Sequence, residues 1–226
     1  MESANKKSGQ AGVKSKKELV RVYLENRDTA RLLEWSKKER NPLRILTSLL
    51  FDEDRLIVWR SIEAIGIISA RIAGRDIEKI RRQIQRYLWM MNDESGALCW
   101  DAPQAIAEIL TQVDPLLEDF AIILPSFLIE EPFEAGTRWG MARLIRQKEL
   151  PEKIIEHYMS FSGKIIDSLT APDPETRGNA TLLAMSLELE IPEDIRIKLN
   201  NDEATFDLYD FETGNLRERK ISAVLK

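Results

Sequence analysis

Three tryptophans with charged neighbours are the residues of this chain best suited to bind a partner. They are Trp59 followed by Arg60, Trp100 followed by Asp101, and Trp139 preceded by Arg138. Tryptophan offers a large apolar area with one N–H donor and is enriched where proteins contact each other. If exposed, these six side chains would form a ladder of aromatic and charged groups, which predicts a partner-binding groove. Core packing between helices is the alternative interpretation of the tryptophans.

Few residues suit catalysis or metal binding. One cysteine, Cys99, and one histidine, His157, cannot form an intrachain disulfide or a structural zinc site of Cys and His ligands. We interpret Cys99 as a small buried apolar residue and His157, which lies in EKIIEHYMSF, as the border of a helical core stripe. The sequence contains no phosphate loop, dinucleotide fingerprint or metal-ligand cluster. It therefore predicts no catalytic residue, no metal and no cofactor.

A basic stripe runs through RIAGRDIEKIRRQIQR, where cationic side chains recur every three or four residues. The opposite side of the same helix is apolar, so the stripe is most simply the solvated surface of a helix. The sharper alternative is a nucleic-acid contact. The net charge is about +6 for residues 1–50, 0 for 51–100, −5 for 101–150 and −6 for 151–226. Because phosphate-backbone affinity comes largely from clustered Lys and Arg, we expect no nucleic-acid partner.

Composition indicates a folded protein that stays in the cytoplasm. The 226 residues are 43% hydrophobic and 31% charged. The longest apolar stretches, such as 120–129, are too short to cross a membrane, and the first residues lack the apolar core of a signal peptide. Residues 1–15 are rich in Lys, Ser, Gly and Asn, which predicts a disordered tail.

Helical patterning begins after this tail and continues almost without interruption. It predicts ten helices, over residues 17–38, 42–51, 54–72, 76–91, 96–112, 116–130, 134–148, 151–169, 174–190 and 193–199. Prolines after Asn or Asp mark several boundaries, because proline is tolerated in the first helical turn. Pro103 indicates either a bent helix or one that starts later, with Asp101 as its cap. We favour the later start.

The tryptophans also measure a repeat, because they lie 41 and 39 residues apart. Residues 52–66, 92–107 and 131–145 each place an acidic turn before the tryptophan and a small residue about one turn after it. A fourth copy, DPETRGNATLLAMSL, keeps the 39-residue step and has Gly178 at the tryptophan position. Self-similarity at about 40 residues is typical of HEAT and armadillo arrays.

The repeated segments resemble the second helices of HEAT repeats. Val58-Trp59-Arg60 followed by Ala64-Ile65-Gly66 is the nearest match, and NDESGALCWDAPQAIAEIL resembles a group of uncharacterised bacterial HEAT-like repeat proteins. The resemblance implies an all-α, right-handed α-α superhelix of four to five helix pairs over residues 16–200. It also implies a non-catalytic scaffold or adaptor that binds a protein or peptide on its concave face.

Two other functions are consistent with the same resemblance. One group of small HEAT-like proteins consists of DNA glycosylases that remove alkylated bases with concave Trp, Asp and Arg residues. Trp100, Asp101, Arg138 and Trp139 are compatible with that chemistry, whereas the acidic C-terminal half is not. A factor that assists assembly of a larger enzyme or cofactor complex is the second alternative.

The C-terminal residues 201–226 lose helical periodicity. The segment TFDLYDFETGNLRERKISAVL predicts two short strands around Thr213-Gly214-Asn215, with acidic residues of the first strand opposite basic residues of the second. An isolated two-stranded hairpin is marginally stable. We therefore expect it to pack on the last helical repeat, with docking onto a partner as the alternative.

Overall fold

The computed structural model describes residues 16–92 and 98–225. Over these residues the chain is mostly helical, with twelve α-helices and one small C-terminal antiparallel sheet of two strands. The predicted disordered tail and the turn at Ser95–Gly96 lie outside the described residues. In the described part of the chain, no helix is both long enough and apolar enough to cross a bilayer.

The helices follow one another with short connections. They are α1 (16–25), α2 (Thr29–Lys38), α3 (Pro42–Leu49), α4 (Arg55–Ala73), α5 (Ile77–Met91), α6 (Ala102–Gln112), α7 (Leu117–Ala121), α8 (Glu134–Gln147), α9 (Glu152–Met159), α10 (Ser162–Ser168), α11 (Pro174–Ser186) and α12 (Glu193–Asn200). Short 3₁₀ helices lie at Asp114–Leu116, Leu124–Phe127 and Ile221–Ala223.

Three of the ten predicted helices are interrupted. The helix expected over 17–38 breaks at Arg27, whose φ of 49° belongs to the left-handed region. The one expected over 116–130 is divided near Pro125, because proline has no N–H for the helical ladder. The one expected over 151–169 breaks after Met159, where the Ser160 hydroxyl donates to the His157 carbonyl and competes with the helical pattern.

The start of α6 settles the two interpretations of Pro103. The helix begins at Ala102, so Pro103 lies in its first turn and the later start is confirmed. Asp101 occupies the N-cap position as expected, but its carboxylate makes no capping hydrogen bond. It forms an ion pair with Arg55 instead.

Four helices form the centre of the molecule. The helices α4, α6, α8 and α11 pack side by side in that order. Around them, α3 packs against α4, α5 against both α4 and α6, and α10 against α11. Ten residues of α6, from Ala102 to Thr111, are buried because neighbours cover this helix on several sides. The central helices therefore provide a continuous surface on which the C-terminal segment can lie.

The predicted hairpin is confirmed as β1 (Thr205–Asp210) and β2 (Asn215–Lys220). Gly214 closes the turn with a φ of 66°, a conformation that glycine adopts without steric cost. One ion pair forms between an expected acidic and an expected basic residue, since Nη2 of Arg217 lies 2.6 Å from Oδ2 of Asp210. Asp207, however, lies opposite Glu218, so the register brings two like charges together.

Candidate binding face

The hairpin lies across the central helices. It contacts Trp59 of α4, Trp139 of α8 and Gly178 of α11. We call the surface marked by these three residues the hairpin face. The hairpin was expected on the last repeat alone, but from α11 it reaches back to α4, and its turn meets the loop after α1. This reach places it over the tryptophan row.

Aromatic contacts join the hairpin to this face. Tyr209 stacks on Trp59 with ring centroids 5.7 Å apart and planes 5° apart, and Phe211 stacks on Trp139 at 6.2 Å. The two tryptophans also meet edge to face at 4.7 Å. Only 4% of Trp59 and 6% of Trp139 remain exposed. Four aromatic rings thus form one cluster, in which Phe211 is half-buried and the other three are buried, and such contacts stabilise beyond area burial.

Two arginines hold the turn of the hairpin through its backbone carbonyls. Arg60 donates to the carbonyl of Gly214 at 2.9 Å and also to those of Leu24 and Glu25. Arg27 donates to the carbonyl of Glu212 at 2.6 Å. The turn is therefore tied to the N-terminal end of the helical array by charge-assisted hydrogen bonds.

A polar group lies within the aromatic cluster. The Tyr209 hydroxyl donates to Oε2 of Glu63 at 2.5 Å, and Arg27 donates to Oε1 of the same carboxylate at 3.0 Å. Burial raises the pKa of Tyr209, and the hydrogen bond to Glu63 raises it further. The hydroxyl therefore remains a hydrogen-bond donor at neutral pH.

The remaining predicted site residues lie elsewhere. Trp100 is 65% exposed in the turn before α6. Asp101 is buried and accepts hydrogen bonds of 2.9 and 3.1 Å from Arg55. Arg138 is also buried, where it donates to the carbonyl of Leu128 at 2.8 Å, and burial lowers its pKa to about 10.

The exposed ladder of six side chains is therefore not formed. Trp59, Arg60 and Trp139 lie beneath the hairpin, Asp101 and Arg138 are buried in polar contacts of their own, and Trp100 alone is exposed. The physical reason is that Tyr209 and Phe211 supply the apolar surface that Trp59 and Trp139 require. The chain itself covers the surface that was expected to meet a partner.

The single cysteine and histidine have ordinary packing roles. Cys99 is buried, and burial raises the pKa of its thiol to about 12, so the reactive thiolate is scarce at neutral pH. The His157 ring meets Phe161 edge to face at 5.3 Å. Across residues 16–92 and 98–225, no group of three or more His, Cys, Asp or Glu side chains is placed to hold a metal ion.

An open cleft of about 880 Å³ remains between the hairpin, α8 and α11. We call it the arginine cleft, because its lining includes Arg143, Arg146, Arg217 and Arg219. Its apolar lining includes Leu182, Met185, Leu208, Phe211 and Val224. Such a combination of apolar surface and a few charged groups is typical of ligand sites.

Arg143 is fixed at the back of this cleft. It donates to Oε2 of Glu108 at 3.0 Å, and its guanidinium carbon lies 3.7 Å from the centre of the Phe211 ring. Burial raises the pKa of Glu108, and the nearby Arg143 opposes that shift. The pair links α6 and α8 to the hairpin at one point.

The two sides of the β1–β2 sheet carry side chains of opposite charge. Successive side chains of a strand point to opposite faces, so the pair Leu208 and Arg217 lies on one face and the pair Asp207 and Glu218 on the other. The first pair lines the arginine cleft. The second lines a smaller cleft of about 460 Å³, which also contains Arg55 and Glu175. The hairpin therefore separates a basic cleft from a mainly acidic one.

Sequence reasoning missed the hairpin aromatics and the arginine cleft. Phe206, Tyr209 and Phe211 were visible only as strand residues, and nothing in their spacing identified Trp59 and Trp139 as their contacts. One signal was present, since the spacing of Trp59, Trp100 and Trp139 continues to Gly178, where the tryptophan is replaced by glycine. The space that a side chain at Gly178 would need is occupied by the Phe206 ring.

Part of the chain is similar to a known archaeal protein. The chain is 29% identical over 129 residues to an uncharacterized protein of Archaeoglobus fulgidus. The aligned region covers 53% of this chain and 67% of that protein. No protein-family model matches the chain. No solved structure matches it significantly.

Proposed function

We propose that this chain is a non-catalytic, HEAT-like α-α superhelix that binds a protein or peptide segment in the arginine cleft. The side-by-side order of α4, α6, α8 and α11 and the repeat of about 40 residues support a superhelix whose second helices form one inner face. The hairpin face would then be the concave surface. Its open part, rather than the buried tryptophans, would receive the partner.

The observation that carries the proposal is the character of the arginine cleft. It is open to solvent, and its volume of about 880 Å³ is within the range of ligand sites. Met185, a long apolar side chain that lines it, is 39% exposed. Methionine adapts its shape to different apolar partners and is common on surfaces that bind peptides.

The alternatives gain less from the same geometry. A glycosylase-like site would need an accessible carboxylate beside the tryptophans, whereas the Asp101 carboxylate is paired with Arg55. An assembly factor would also act by binding a protein, so it is a special case of the proposed activity.

A peptide-display selection against the intact chain tests the proposal. We expect the selection to enrich peptides that bind the wild-type chain. These peptides should bind the Met185→Glu variant at least tenfold more weakly. The matched control is Met159→Glu, because Met159 is also 39% exposed but does not line the cleft. Failure to enrich any peptide, or equal binding to both variants, would overturn the proposal.

A further inference from the structure

The arginine cleft contains positive charge that the chain does not neutralise. Arg143 is paired with Glu108, and Arg217 is paired with Asp210. Arg146 and Arg219 are exposed and form no ion pair with any residue that the structure describes. Two guanidinium groups in one cleft are thus available to a ligand.

The chemistry of these groups favours carboxylates. A guanidinium presents its N–H donors in a planar fork that matches a carboxylate and can bind both of its oxygens. Arg146 lies on α8 and Arg219 on β2, so they approach the cleft from two different walls. A ligand that engages both must extend across the apolar lining between those walls.

The apolar lining adds a second requirement. Leu182 and Met185 of α11 face the same cleft as Leu208 of β1. A purely ionic ligand would leave this surface in contact with water, whereas burial of an apolar side chain there would contribute about 25 cal/mol per Å² of area removed from water. The lining therefore favours a ligand with an apolar side chain next to its acidic groups.

Charges around the cleft argue against a long polyanion. Asp210 and Glu212 also line it, and Asp207 and Glu218 lie on the other face of the same hairpin. A nucleic-acid strand that extended beyond the cleft would approach these carboxylates, in a chain with a net charge of −5. A short acidic segment would meet only the charges of the cleft itself, where the four arginines outnumber Asp210 and Glu212.

From this arrangement we infer that the arginine cleft recognises a short acidic peptide segment of another protein. Its carboxylates would engage Arg146 and Arg219, and a bulky apolar residue between them would lie on Leu182, Met185 and Leu208. The inference rests on the proposed function and specifies the chemistry of the partner.

Fluorescence anisotropy with three labelled peptides tests the inference on the full chain. The peptides share a central Leu-Phe pair, which is flanked by Glu, by Gln or by Lys. We expect the Glu peptide to bind at least tenfold more tightly than the Gln peptide, and the Lys peptide to bind weakest. We expect Arg146→Ala and Arg219→Ala each to weaken the Glu peptide three- to tenfold, and added salt to weaken it further.

Arg44→Ala is the matched control, because Arg44 is exposed, has no ion-pair partner in the described residues and lies outside the cleft. An Arg146→Glu variant should shift the preference towards the Lys peptide. Equal binding of the three peptides, equal effects of all the arginine variants, or tighter binding of a 12-nucleotide single strand or of citrate would overturn the inference.

The two proposals fail in different ways. The selected peptides could be neutral or basic and still lose affinity for the Met185→Glu variant. This result would leave the proposed function intact and contradict the acidic-segment inference. An absence of any peptide that depends on Met185 would contradict the proposed function itself.

Discussion

A β-carbon placed on Gly178 would lie 2.5 Å from the ring of Phe206. Real side chains essentially never approach this closely, so the hairpin and α11 can meet here only because residue 178 is glycine. Trp59, Trp100 and Trp139 stand at the earlier positions of the sequence pattern that continues to Gly178. The pattern therefore loses its large side chain at the position where a hairpin aromatic occupies the space.

Replacing Gly178 tests this fit. Alanine is favoured over glycine in a helix by about 1 kcal/mol, yet we expect Gly178→Ala to lower the free energy of unfolding by about 1–3 kcal/mol, because the added methyl overpacks the contact. In a Phe206→Ala background the same change should be stabilising. Urea unfolding of the four chains measures the coupling.

Gly163→Ala is the control for helix propensity, since a β-carbon at that position would meet no atom within 4 Å beyond its chain neighbours and the nearby backbone of its own helix. This variant should be neutral or stabilising by up to about 1 kcal/mol. Stabilisation by Gly178→Ala in the wild-type background would show that Phe206 does not occupy the space beside α11.

Tyr209→Phe tests the polar group beneath the hairpin. The variant removes the hydroxyl that donates to Glu63 and keeps the stacked ring. Because a hydrogen bond to a charged group is worth about 1.5–3 kcal/mol, we expect a loss of that size in the free energy of unfolding. Tyr23→Phe is the control, since no hydrogen bond of the Tyr23 hydroxyl occurs among the described residues. Equal losses in the two variants would contradict the account.

Glu108 gives a pH dependence of defined sign. Burial raises the pKa of Glu108 in the folded chain above 4.5, the ordinary value that it has in the unfolded chain. At a pH between the unfolded and the folded pKa, the folded chain therefore holds a proton that the unfolded chain has lost. The contribution of this group to stability therefore decreases as pH rises through the window, and it is constant above the folded pKa.

A Glu108→Gln variant cannot titrate at this position. We expect the difference in stability, wild type minus Glu108→Gln, to fall as pH rises from 4.5 towards neutrality. Thermal unfolding at half-unit pH intervals measures it. Glu190→Gln is the control, because Glu190 is exposed and in no ion pair of the described residues. A difference that rises with pH would contradict the direction of the shift.

Most helices could be predicted because the sequence signals that start and end them lie within a few residues of each boundary. The expected 54–72, 76–91 and 134–148 lie within one residue of α4, α5 and α8 at each end. Charged and apolar residues alternate with helical spacing there, and Asp54 and Asp76 cap two of these helices as their residue types suggest. The breaks near Arg27 and Met159 were missed, because a single change of backbone conformation leaves the apolar periodicity almost intact.

The candidate site was less predictable because it depends on distant contacts. Residue 211 meets residues 139 and 143, and residue 209 meets residues 59 and 63. No local pattern encodes such pairings, so Trp59 and Trp139 could be assigned to a face but not to an exposed or a covered state. The arginine cleft is harder still, since α8, α11 and both strands each contribute only part of its lining.

Tryptophan fluorescence tests the docking of the hairpin most directly. A chain with Trp35, Trp89 and Trp100 replaced by Phe keeps Trp59 and Trp139 as its only tryptophans. We predict that acrylamide quenches this chain weakly. Further replacement of Phe206 and Tyr209 by Ala should release the hairpin and increase quenching severalfold, while the helical circular dichroism is retained. Strong quenching before the hairpin is released, or unchanged quenching afterwards, would contradict the assignment of the hairpin to this face.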